Sequence, residues 1–307
     1  MTNVKRFLLI LALTAMWSPS FLFIKLALVD FAPATIVFLR VLLGCIIFWI
    51  TLRFQGGSLP KNIKFWLHSS FMAIFSSGLP FFLFCYAETS IESALAAILN
   101  GSTPMFTAAL AHLLLPTDRL SLNKVLGIIF SFMGVLLLFS PNISKGMDGD
   151  IIGMLAALGA AFCYAMSHVY AKKYTVGQAR FVAPTAQLLI SVLIMLPFVI
   201  MSSESPSLTL EIPSAAAAVG ILGLSLLGTY FAFMIYYYLL DHCGPTAISM
   251  VACFFPVVGM FLGYFFLGEA ITTGAIFSAA LILIGMLTVN GVINFSFGRS
   301  PVAQSEA

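Results

Sequence analysis

The sequence predicts an all-α integral membrane protein with ten transmembrane helices, arranged as two inverted five-helix repeats. Three observations lead to this fold class. The 307 residues are 61% hydrophobic and 8% charged, with a mean hydropathy of +1.08, whereas an ordinary soluble domain is about a quarter charged. Apolar runs of about 20 residues recur along the chain, and residue patterns of the first half return in the second.

The apolar runs mark ten candidate helices, because about 20 helical residues cross the hydrocarbon core and a helix satisfies its own backbone polar groups. The alternating pattern of a membrane β-strand is missing from the sequence. The first run follows Lys5 and Arg6 as in a signal peptide, but it continues to about Val29 and is interpreted as an uncleaved helix. Residues 295–307 are predicted to be a disordered cytoplasmic tail. The candidate helices span 7–29, 34–53, 67–87, 93–115, 121–140, 150–172, 181–202, 214–240, 245–267 and 272–294.

The distribution of Lys and Arg predicts that both termini are cytoplasmic. With the N-terminus inside, eleven of these residues lie in cytoplasmic segments and one, Lys145, lies in an outer loop, while Lys25 and Arg40 lie within helices. A missed or an extra helix would disrupt this distribution. We therefore expect a multi-pass protein of the inner or plasma membrane. The eleven are Lys5, Arg6, Arg53, Lys61, Lys64, Arg119, Lys124, Lys172, Lys173, Arg180 and Arg299.

Like residues recur in the two halves at a nearly constant offset, which predicts an internal repeat. The two repeats extend over 4–141 and 150–294, with five helices each. Because five is an odd number, the second repeat crosses the membrane in the opposite direction. Secondary transporters that use alternating access are typically built from such inverted repeats. The pairs at an offset of 151 or 152 are Tyr86 and Tyr238, Pro104 and Pro256, Pro33 and Pro184, and Asp118 and Glu269.

Short motifs in the same order and spacing carry a resemblance to a known family. They are Trp17, Phe38-Leu39-Arg40, Pro104, Pro256, the helix exit Leu267-Gly268-Glu269-Ala270-Ile271-Thr272, and its first-half version Pro116-Thr117-Asp118-Arg119-Leu120-Ser121. Together they resemble the drug/metabolite transporter superfamily, and specifically its EamA-type members with two five-helix repeats. The chain departs from the family in having Trp17-Ser18-Pro19 where Trp-Gly is usual, and Pro116-Thr117-Asp118 in place of Gly-Glu.

The resemblance implies a central cavity lined mainly by helices 1, 3, 4, 6, 8 and 9. Members of the family move amino acids, nucleotide-related metabolites, sugars or drugs, commonly outward and without ATP. The resemblance implies no cofactor. The expected partners are a small-molecule substrate and the lipid bilayer, with no nucleic acid.

Lys25 and Arg40 are predicted to lie at a similar depth in the outer part of the bilayer. A charge within the membrane is costly and usually faces protein or a water-filled cavity. One interpretation is a positively charged entrance that attracts an anionic group such as a substrate carboxylate. The alternative is structural, with Arg40 paired to Glu88 or another outer acid, and with the ammonium group of Lys25 reaching the surface.

Pro104 and Pro256 are predicted to break the fourth and ninth helices and to act in gating. Proline cannot donate a backbone hydrogen bond and disturbs the preceding turn. Asn100, Ser102 and Thr103 precede Pro104, so these side chains or a freed carbonyl are candidates for binding substrate. Apolar neighbours precede Pro256, which predicts a cavity that is polar on one wall and aromatic on the other. The alternative is a kink that only serves packing, with Ser and Thr bonded within their helices.

Mid-helix aromatic and histidine side chains complete the candidate cavity. Trp17, Tyr164 and Tyr230 are candidates for stacking on a planar or cationic substrate, or they simply pack the interior. His168 is a candidate for proton coupling, the alternative being a hydrogen-bonded packing residue. No Asp or Glu lies deep in any predicted helix, which favours uniport or exchange over an acidic proton relay.

The glycines of helices 5 and 10 are predicted to allow close helix packing, within one protomer or in a homodimer. These are Gly127, Gly134, Gly285 and Gly291. The five cysteines have no metal-ligand spacing, so no metal site and no catalytic residue is assigned.

The leading hypothesis is a carrier for a small amphipathic metabolite, and an amino acid or a related compound is the favoured substrate. The carrier would act as an exporter or exchanger. The alternative within the same fold is a carrier for nucleotide-derived metabolites, sugars or drugs. An intramembrane enzyme would need a paired-Asp, Ser/His or Glu/His arrangement or a metal cluster, and none occurs at usable spacing. A receptor would need a soluble segment, and no loop is long enough.

Overall fold

A computed structural model of the chain describes residues 3–115, 120–145, 149–174, 181–201, 212–243 and 250–294. These residues are helical apart from short connections, and no strand occurs among them, so the predicted all-α fold class is confirmed. The predicted disordered tail and the first-half helix exit Pro116-Thr117-Asp118 lie outside the described residues.

Ten helices, numbered α1–α10 in chain order, make up the described structure. They are α1, Asn3–Trp17 continued by Ser20–Ala27; α2, Pro33–Phe54; α3, Ile63–Ala87; α4, Ser93–Asn100 continued by Thr103–Leu114; α5, Leu122–Lys145; α6, Gly149–Tyr174; α7, Val182–Met201; α8, Ala215–Leu222, Gly223–Phe231 and Ala232–Cys243; α9, Met250–Phe254, Phe255–Leu262 and Gly263–Leu267; and α10, Thr273–Val289.

The helices have the length and surface of membrane-spanning segments. Helices α1–α8 each contain a stretch long and apolar enough to cross a bilayer, and α9 and α10 are shorter apolar helices. Large apolar side chains project from the outside of the bundle, among them Trp49, Phe132, Phe198, Phe265 and Phe277. Hydrocarbon tolerates such a surface, whereas a soluble protein rarely carries it. The chain is a multi-pass integral membrane protein.

Several helix ends are set by side-chain caps. The Asn62 side chain accepts a hydrogen bond from the backbone N–H of Lys64 at 2.9 Å, at the start of α3. Thr272 Oγ1 accepts from the N–H of Ala275 at 3.1 Å, at the start of α10. These caps satisfy donors that have no partner within the helix. Gly268 ends α9 in the left-handed region, with φ of +67°, where a Cβ atom would be strained.

Proline interrupts three helices near the middle of the bundle. Helix α1 breaks between Trp17 and Ser20, around Pro19. Helix α4 breaks between Asn100 and Thr103, directly before Pro104. In α9, a tight 3₁₀ turn over 250–254 ends just before Pro256. Because proline lacks an N–H group and its ring clashes with the preceding turn, backbone carbonyls at these breaks lose their helical partners.

Wider π-helical turns occur at equivalent places in the two halves. Ala73–Gly78 forms such a turn in α3, and Gly223–Phe231 forms one in α8, its counterpart in the second repeat. A π-helical turn changes the angular position of every residue that follows it, and such turns occur often at functional sites.

Glycines allow α5 and α10 to pack closely. A Cβ atom on Gly127 would lie 2.5 Å from the backbone oxygen of Gly285, and one on Gly134 would lie 2.8 Å from the backbone oxygen of Ser278. The structure therefore places Gly127, Gly134 and Gly285 at a helix contact within the chain. Gly291 follows the end of α10 with φ of +74°.

Candidate functional site

A central cavity lies between the helices at the level of the proline breaks. Its free space amounts to about 900 Å³ when the part open to solvent is counted. Its lining comes from α1, α3, α4, α6, α8 and α9, the helices that the family resemblance implies, and also from α2, which contributes Arg40.

The structure brings most of the predicted cavity residues together. The predicted residues that line the cavity are Trp17, Arg40, Asn100, Thr103, Pro104, Tyr164 and His168. Ser102, Tyr230 and Pro256 are not in the lining.

Ser102 and Tyr230 differ from the prediction because each is held by its own neighbours. Ser102 is buried and its hydroxyl donates to the Leu99 carbonyl at 2.6 Å. The hydroxyl of Tyr230 lies 2.9 Å from Thr51 Oγ1, on the α2 side of α8. Tyr236 lines the cavity instead. The π-helical turn that includes Tyr230 changes the face on which later residues of α8 lie, so counting depth along a regular α-helix did not identify Tyr236.

Pro256 contacts the other helix break rather than the cavity. A Cβ atom on Gly101 would lie 3.1 Å from Pro256 Cγ, and the neighbouring Phe255 lines the cavity. One turn further along α9, an added Cβ on Gly259 would collide with Ala97 of α4. The two proline-broken helices therefore pack directly on each other, and Pro104 alone of the two prolines borders the cavity.

Arg40 is a buried cation whose contacts are all neutral. Its side chain is 4% exposed. Nε donates to Thr229 Oγ1 at 2.9 Å, and Nη2 donates to the Gly228 carbonyl at 3.2 Å. The guanidinium carbon lies 3.6 Å from the centroid of the Phe81 ring, a cation–π contact. Among the described residues no carboxylate pairs with Arg40, and the predicted alternative of an Arg40–Glu88 ion pair is not what the structure shows.

Polar groups surround Arg40 on the cavity wall. Ser20 of α1 lines the cavity, and its buried hydroxyl has no hydrogen-bond partner among the described residues. Tyr164 of α6 interacts electrostatically with Arg40. Trp17 Nε1 donates to the Gly228 carbonyl at 3.1 Å, the same oxygen that Arg40 contacts. The described residues of this cluster offer a positive charge and a hydroxyl to a ligand, and none of them is an anion.

A second polar part of the lining comes from α4. Pro104 has no N–H to donate to the carbonyl of Asn100, and Thr103 Oγ1 donates to that oxygen instead, at 2.7 Å. The same hydroxyl lies 3.1 Å from Asn100 Oδ1. Asn100, Thr103 and Thr107 all line the cavity, because residues three and four positions apart share one face of a helix. This wall presents carbonyl and hydroxyl oxygens.

Aromatic rings form the remaining walls. The ring centroids of Phe21 and Phe84 are 5.4 Å apart, and those of Phe21 and Phe255 are 6.2 Å apart, both edge to face. Tyr236 lies 5.7 Å from Trp17. Phe21, Phe84 and Tyr236 were not among the cavity residues predicted from the sequence. The spacing of Trp17 and Phe21, four residues apart on α1, is the pattern from which Phe21 could have been inferred.

His168 lies beside Tyr164 on α6, with the two rings nearly parallel and their centroids 6.5 Å apart. It lines the cavity. No group of three or more His, Cys, Asp or Glu side chains in the described part of the chain is arranged to hold a metal ion.

Lys25 and Glu88 lie together at the end of the bundle where α1 and α3 end and α4 begins. The ammonium group of Lys25 donates to the backbone oxygen of Glu88 at 2.6 Å. The Glu88 side chain is 1% exposed, and neither carboxylate oxygen has a hydrogen-bond partner among the described residues. Burial raises the pKa of the Glu88 carboxyl well above its usual range; Glu269 raises it further and Lys25 opposes the shift.

The family model described as the EamA-like transporter family matches residues 5–140 and 151–291. The chain belongs to this family. Each of the two matched segments contains five of the helices described above, and the family resemblance inferred from the sequence motifs is confirmed.

Curated relatives of this EamA-like chain share about a quarter of its residues. An uncharacterized transporter of Bacillus subtilis, YoaV, is 24% identical over 97% of this chain and 100% of its own. A protein of Salmonella typhimurium named "Probable amino-acid metabolite efflux pump" is 25% identical over 91% of this chain and 92% of its own. The Escherichia coli protein of the same name is 24% identical, with coverage of 91% and 92%.

A solved crystal structure has the same fold. It superposes with a TM-score of 0.68 over 94% of this chain and 98% of its own, at 17% sequence identity. At that identity the likeness concerns the fold alone.

Proposed function

We propose that the protein is a secondary transporter for small amphipathic metabolites that carry a carboxylate, most of all amino acids and related compounds. It moves them across the cell membrane by alternating access, as an exporter or exchanger. The observation that carries this proposal is Arg40, a buried cation on the cavity wall whose partners in the described part of the chain are all neutral.

The electrostatics of Arg40 favour an anionic ligand. A buried charge without a counter-ion costs several kcal/mol relative to a paired one. The carbonyl of Gly228, the hydroxyl of Thr229 and the face of Phe81 reduce that cost for Arg40 but do not neutralise the charge. A substrate carboxylate supplies the missing anion and forms charge-assisted hydrogen bonds. The unpartnered Ser20 hydroxyl beside it is a further donor.

The other walls suit the remainder of an amino acid. Its ammonium group needs acceptors, and the α4 wall supplies oxygens of Asn100 and Thr103. Its side chain needs apolar contact, which the rings of Phe21, Phe84 and Tyr236 supply. The cavity therefore complements a compound that is charged at one end and apolar at the other.

Two further observations support this substrate class. Relatives of similar length in Salmonella typhimurium and Escherichia coli are named as amino-acid metabolite efflux pumps. Arg40 is the one Lys or Arg residue in the cavity lining of the described chain. A nucleotide with several phosphate charges would call for more cations, so this lining favours a single carboxylate.

The proposal includes an orientation in the membrane, with both termini in the cytoplasm. The excess of Lys and Arg on one side of the helices favours cytoplasmic termini. In this orientation the Lys25–Glu88 end of the bundle faces outward.

The test is a transport assay with the purified chain in proteoliposomes. Vesicles are loaded in turn with labelled amino acids, their decarboxylated amines, sugars and nucleotides, and release is compared with that from protein-free vesicles. We expect protein-dependent release of amino acids with apolar or aromatic side chains, and little release of the amines. If no compound leaves faster than from protein-free vesicles, the proposed function is wrong. Release of sugars or nucleotides alone would overturn the substrate class.

A further inference from the structure

Glu88 is the buried group that the proposed transport cycle leaves without a role. It directly follows α3, between the membrane-spanning segments Ile63–Ala87 and Ser93–Leu114. Its side chain is 1% exposed, and both carboxylate oxygens are buried without a hydrogen-bond partner in the described structure. The nearest amine, Lys25 Nζ, bonds to the backbone oxygen of Glu88 rather than to its carboxylate.

The charged surroundings of Glu88 do not compensate an ionised carboxylate. Among the described residues, one cation and one anion act on it, Lys25 from α1 and Glu269 from the end of α9. On α3, Cys85 interacts electrostatically with Glu88. Helix α2 presents Arg40, which acts on Cys85, and helix α6 presents Asp150, which acts on Glu92 at the start of α4. At Glu88 the charges of Lys25 and Glu269 act in opposite directions.

An ionised carboxylate in this position would be costly. Burying a charge without hydrogen bonds costs several kcal/mol, and a carboxyl group in that situation keeps its proton. Burial accordingly raises the pKa of Glu88 well above the usual carboxyl range, with Glu269 adding to the shift. The burial and the missing hydrogen bonds therefore favour the neutral acid in this conformation.

Contacts next to Glu88 join four helices at this end of the bundle. Glu269 accepts hydrogen bonds from the backbone N–H groups of Ser93, at 2.7 Å, and of Ala94, at 2.9 Å, and so joins the end of α9 to the start of α4. Lys25 joins α1 to the end of α3. The cavity begins about one helical turn inward of Glu88, at Phe84. Opening this end must separate these elements and expose Glu88 to water.

We propose that Glu88 is a proton-binding site whose protonated form belongs to the conformation closed at the Lys25–Glu88 end. The reaction is a simple dissociation, in which the O–H bond breaks on opening, the carboxylate keeps the electron pair and the proton passes to water at the opened end. Closing reverses it. The inference rests on alternating access in the proposed function and adds a proton to the cycle.

The pH window follows from the two conformations. In the open form the carboxyl group meets water, and its pKa returns toward the ordinary value of about 4.3. In the closed form the pKa is raised. Stabilisation of the closed form is therefore complete below the ordinary carboxyl pKa. As pH rises from there toward the raised pKa, the closed form progressively loses this stabilisation. For one proton, the ratio of closed to open form falls by up to about tenfold per pH unit.

Infrared spectroscopy of the full chain in lipid nanodiscs tests whether Glu88 is protonated. We expect a C=O stretching band of a protonated carboxyl group at neutral pH, lost in Glu88→Gln and retained in Asp150→Asn. Asp150 is an exposed acid on the same side of the bundle, so it is the matched control. A spectrum of Glu88→Gln that keeps the band would overturn the proton site.

Cysteine alkylation tests the link to opening. Ile24→Cys, in a chain whose five native cysteines are replaced, places a thiol in the lining next to Lys25; Phe84→Cys is the second reporter should the first not fold. The alkylation rate from the outside is divided by that of Thr89→Cys, an exposed position, to remove the pH dependence of the thiol itself. We expect this ratio to fall as pH is lowered, and to be low at every pH when Glu88→Gln is added.

The outcomes separate the two proposals. A ratio that still varies with pH to the same extent in Glu88→Gln would overturn the proton site and leave alternating access intact. If neither reporter reacts from the outside at any pH, alternating access is overturned. The link between the proton and opening is then overturned with it. Asp150→Asn is expected to give the same alkylation ratio as the parent chain at every pH.

Discussion

The Nε group of Arg40 in α2 donates a 2.9 Å hydrogen bond to Thr229 Oγ1 in α8, which connects the first half of the chain to the second. An equivalent contact exists in the other direction, where the hydroxyls of Ser191 in α7 and Ser77 in α3 lie 2.8 Å apart. Both contacts are made at the π-helical turns. One of the two equivalent contacts carries a cation, and that difference makes the cavity asymmetric.

Removing the hydroxyl that orients Arg40 is expected to weaken substrate binding. Thr229→Val keeps the shape of the side chain but leaves Nε without its acceptor. Because a hydrogen bond to a charged group contributes about 1.5–3 kcal/mol, the KM for a transported amino acid should rise roughly tenfold to a hundredfold, with less effect on the maximal rate. Thr229→Ser is the control, and it should stay close to the parent chain. An unchanged KM in Thr229→Val would show that this hydrogen bond does not position Arg40.

The contact between α5 and α10 is expected to be intolerant of side chains. A Cβ atom on Gly285 would collide with Ser131 Oγ and lie 2.5 Å from the backbone oxygen of Gly127. Gly285→Ala should therefore cost about 1–3 kcal/mol through overpacking. The melting temperature in detergent should fall, whereas it should barely change for Gly274→Ala in the same helix, where the nearest atom is 3.9 Å away. Equal melting temperatures for the two variants would contradict the close packing.

Glu269 is expected to hold the outer end closed by capping α4. Its carboxylate accepts two backbone hydrogen bonds at a helix N-terminus, where negative charge is stabilising. Glu269→Ala should destabilise the closed form by about 1–3 kcal/mol, so that Ile24→Cys reacts from the outside roughly 5-fold to 100-fold faster. Asp150→Asn should leave the rate unchanged. A rate in Glu269→Ala equal to that of the parent would mean that the cap does not control opening.

The proposed orientation predicts which face of the membrane each loop occupies. Thr89, after α3, and Lys61, before α3, are both exposed. In a chain without native cysteines, a membrane-impermeant maleimide added to intact cells should label Thr89→Cys and should label Lys61→Cys only after permeabilisation. The reverse pattern would place the termini outside.

The helices could be predicted from the sequence because hydrocarbon imposes a simple requirement of about 20 apolar residues. The boundaries differ by a few residues where caps decide them. For example, Asn62 starts α3 at Ile63 rather than at 67. Arg40 and Tyr164 could be singled out because a cation or a polar aromatic residue in mid-membrane is unusual.

The positions that were missed depend on contacts between distant segments. Tyr236 lines the cavity because a π-helical turn precedes it, and no residue pattern in the sequence marks that turn. The sequence identified Glu88 as an outer acid and a structural partner for Arg40, but it did not reveal that this side chain is buried. Its burial arises from α1, α6 and the end of α9, which come together only in the folded chain.

Carboxylate binding by Arg40 can be tested by comparing an amino acid with its amide in Arg40 variants. Transport of a labelled aromatic or branched amino acid and of the corresponding amino-acid amide is measured in proteoliposomes containing the parent chain, Arg40→Gln or the control Arg53→Gln, in which an exposed arginine of the same helix is replaced. If Arg40 binds the carboxylate, the parent and Arg53→Gln prefer the acid by at least about tenfold, or about 1.4 kcal/mol, and Arg40→Gln loses this preference. An Arg40→Gln chain that folds and still prefers the acid to the same extent would contradict the account.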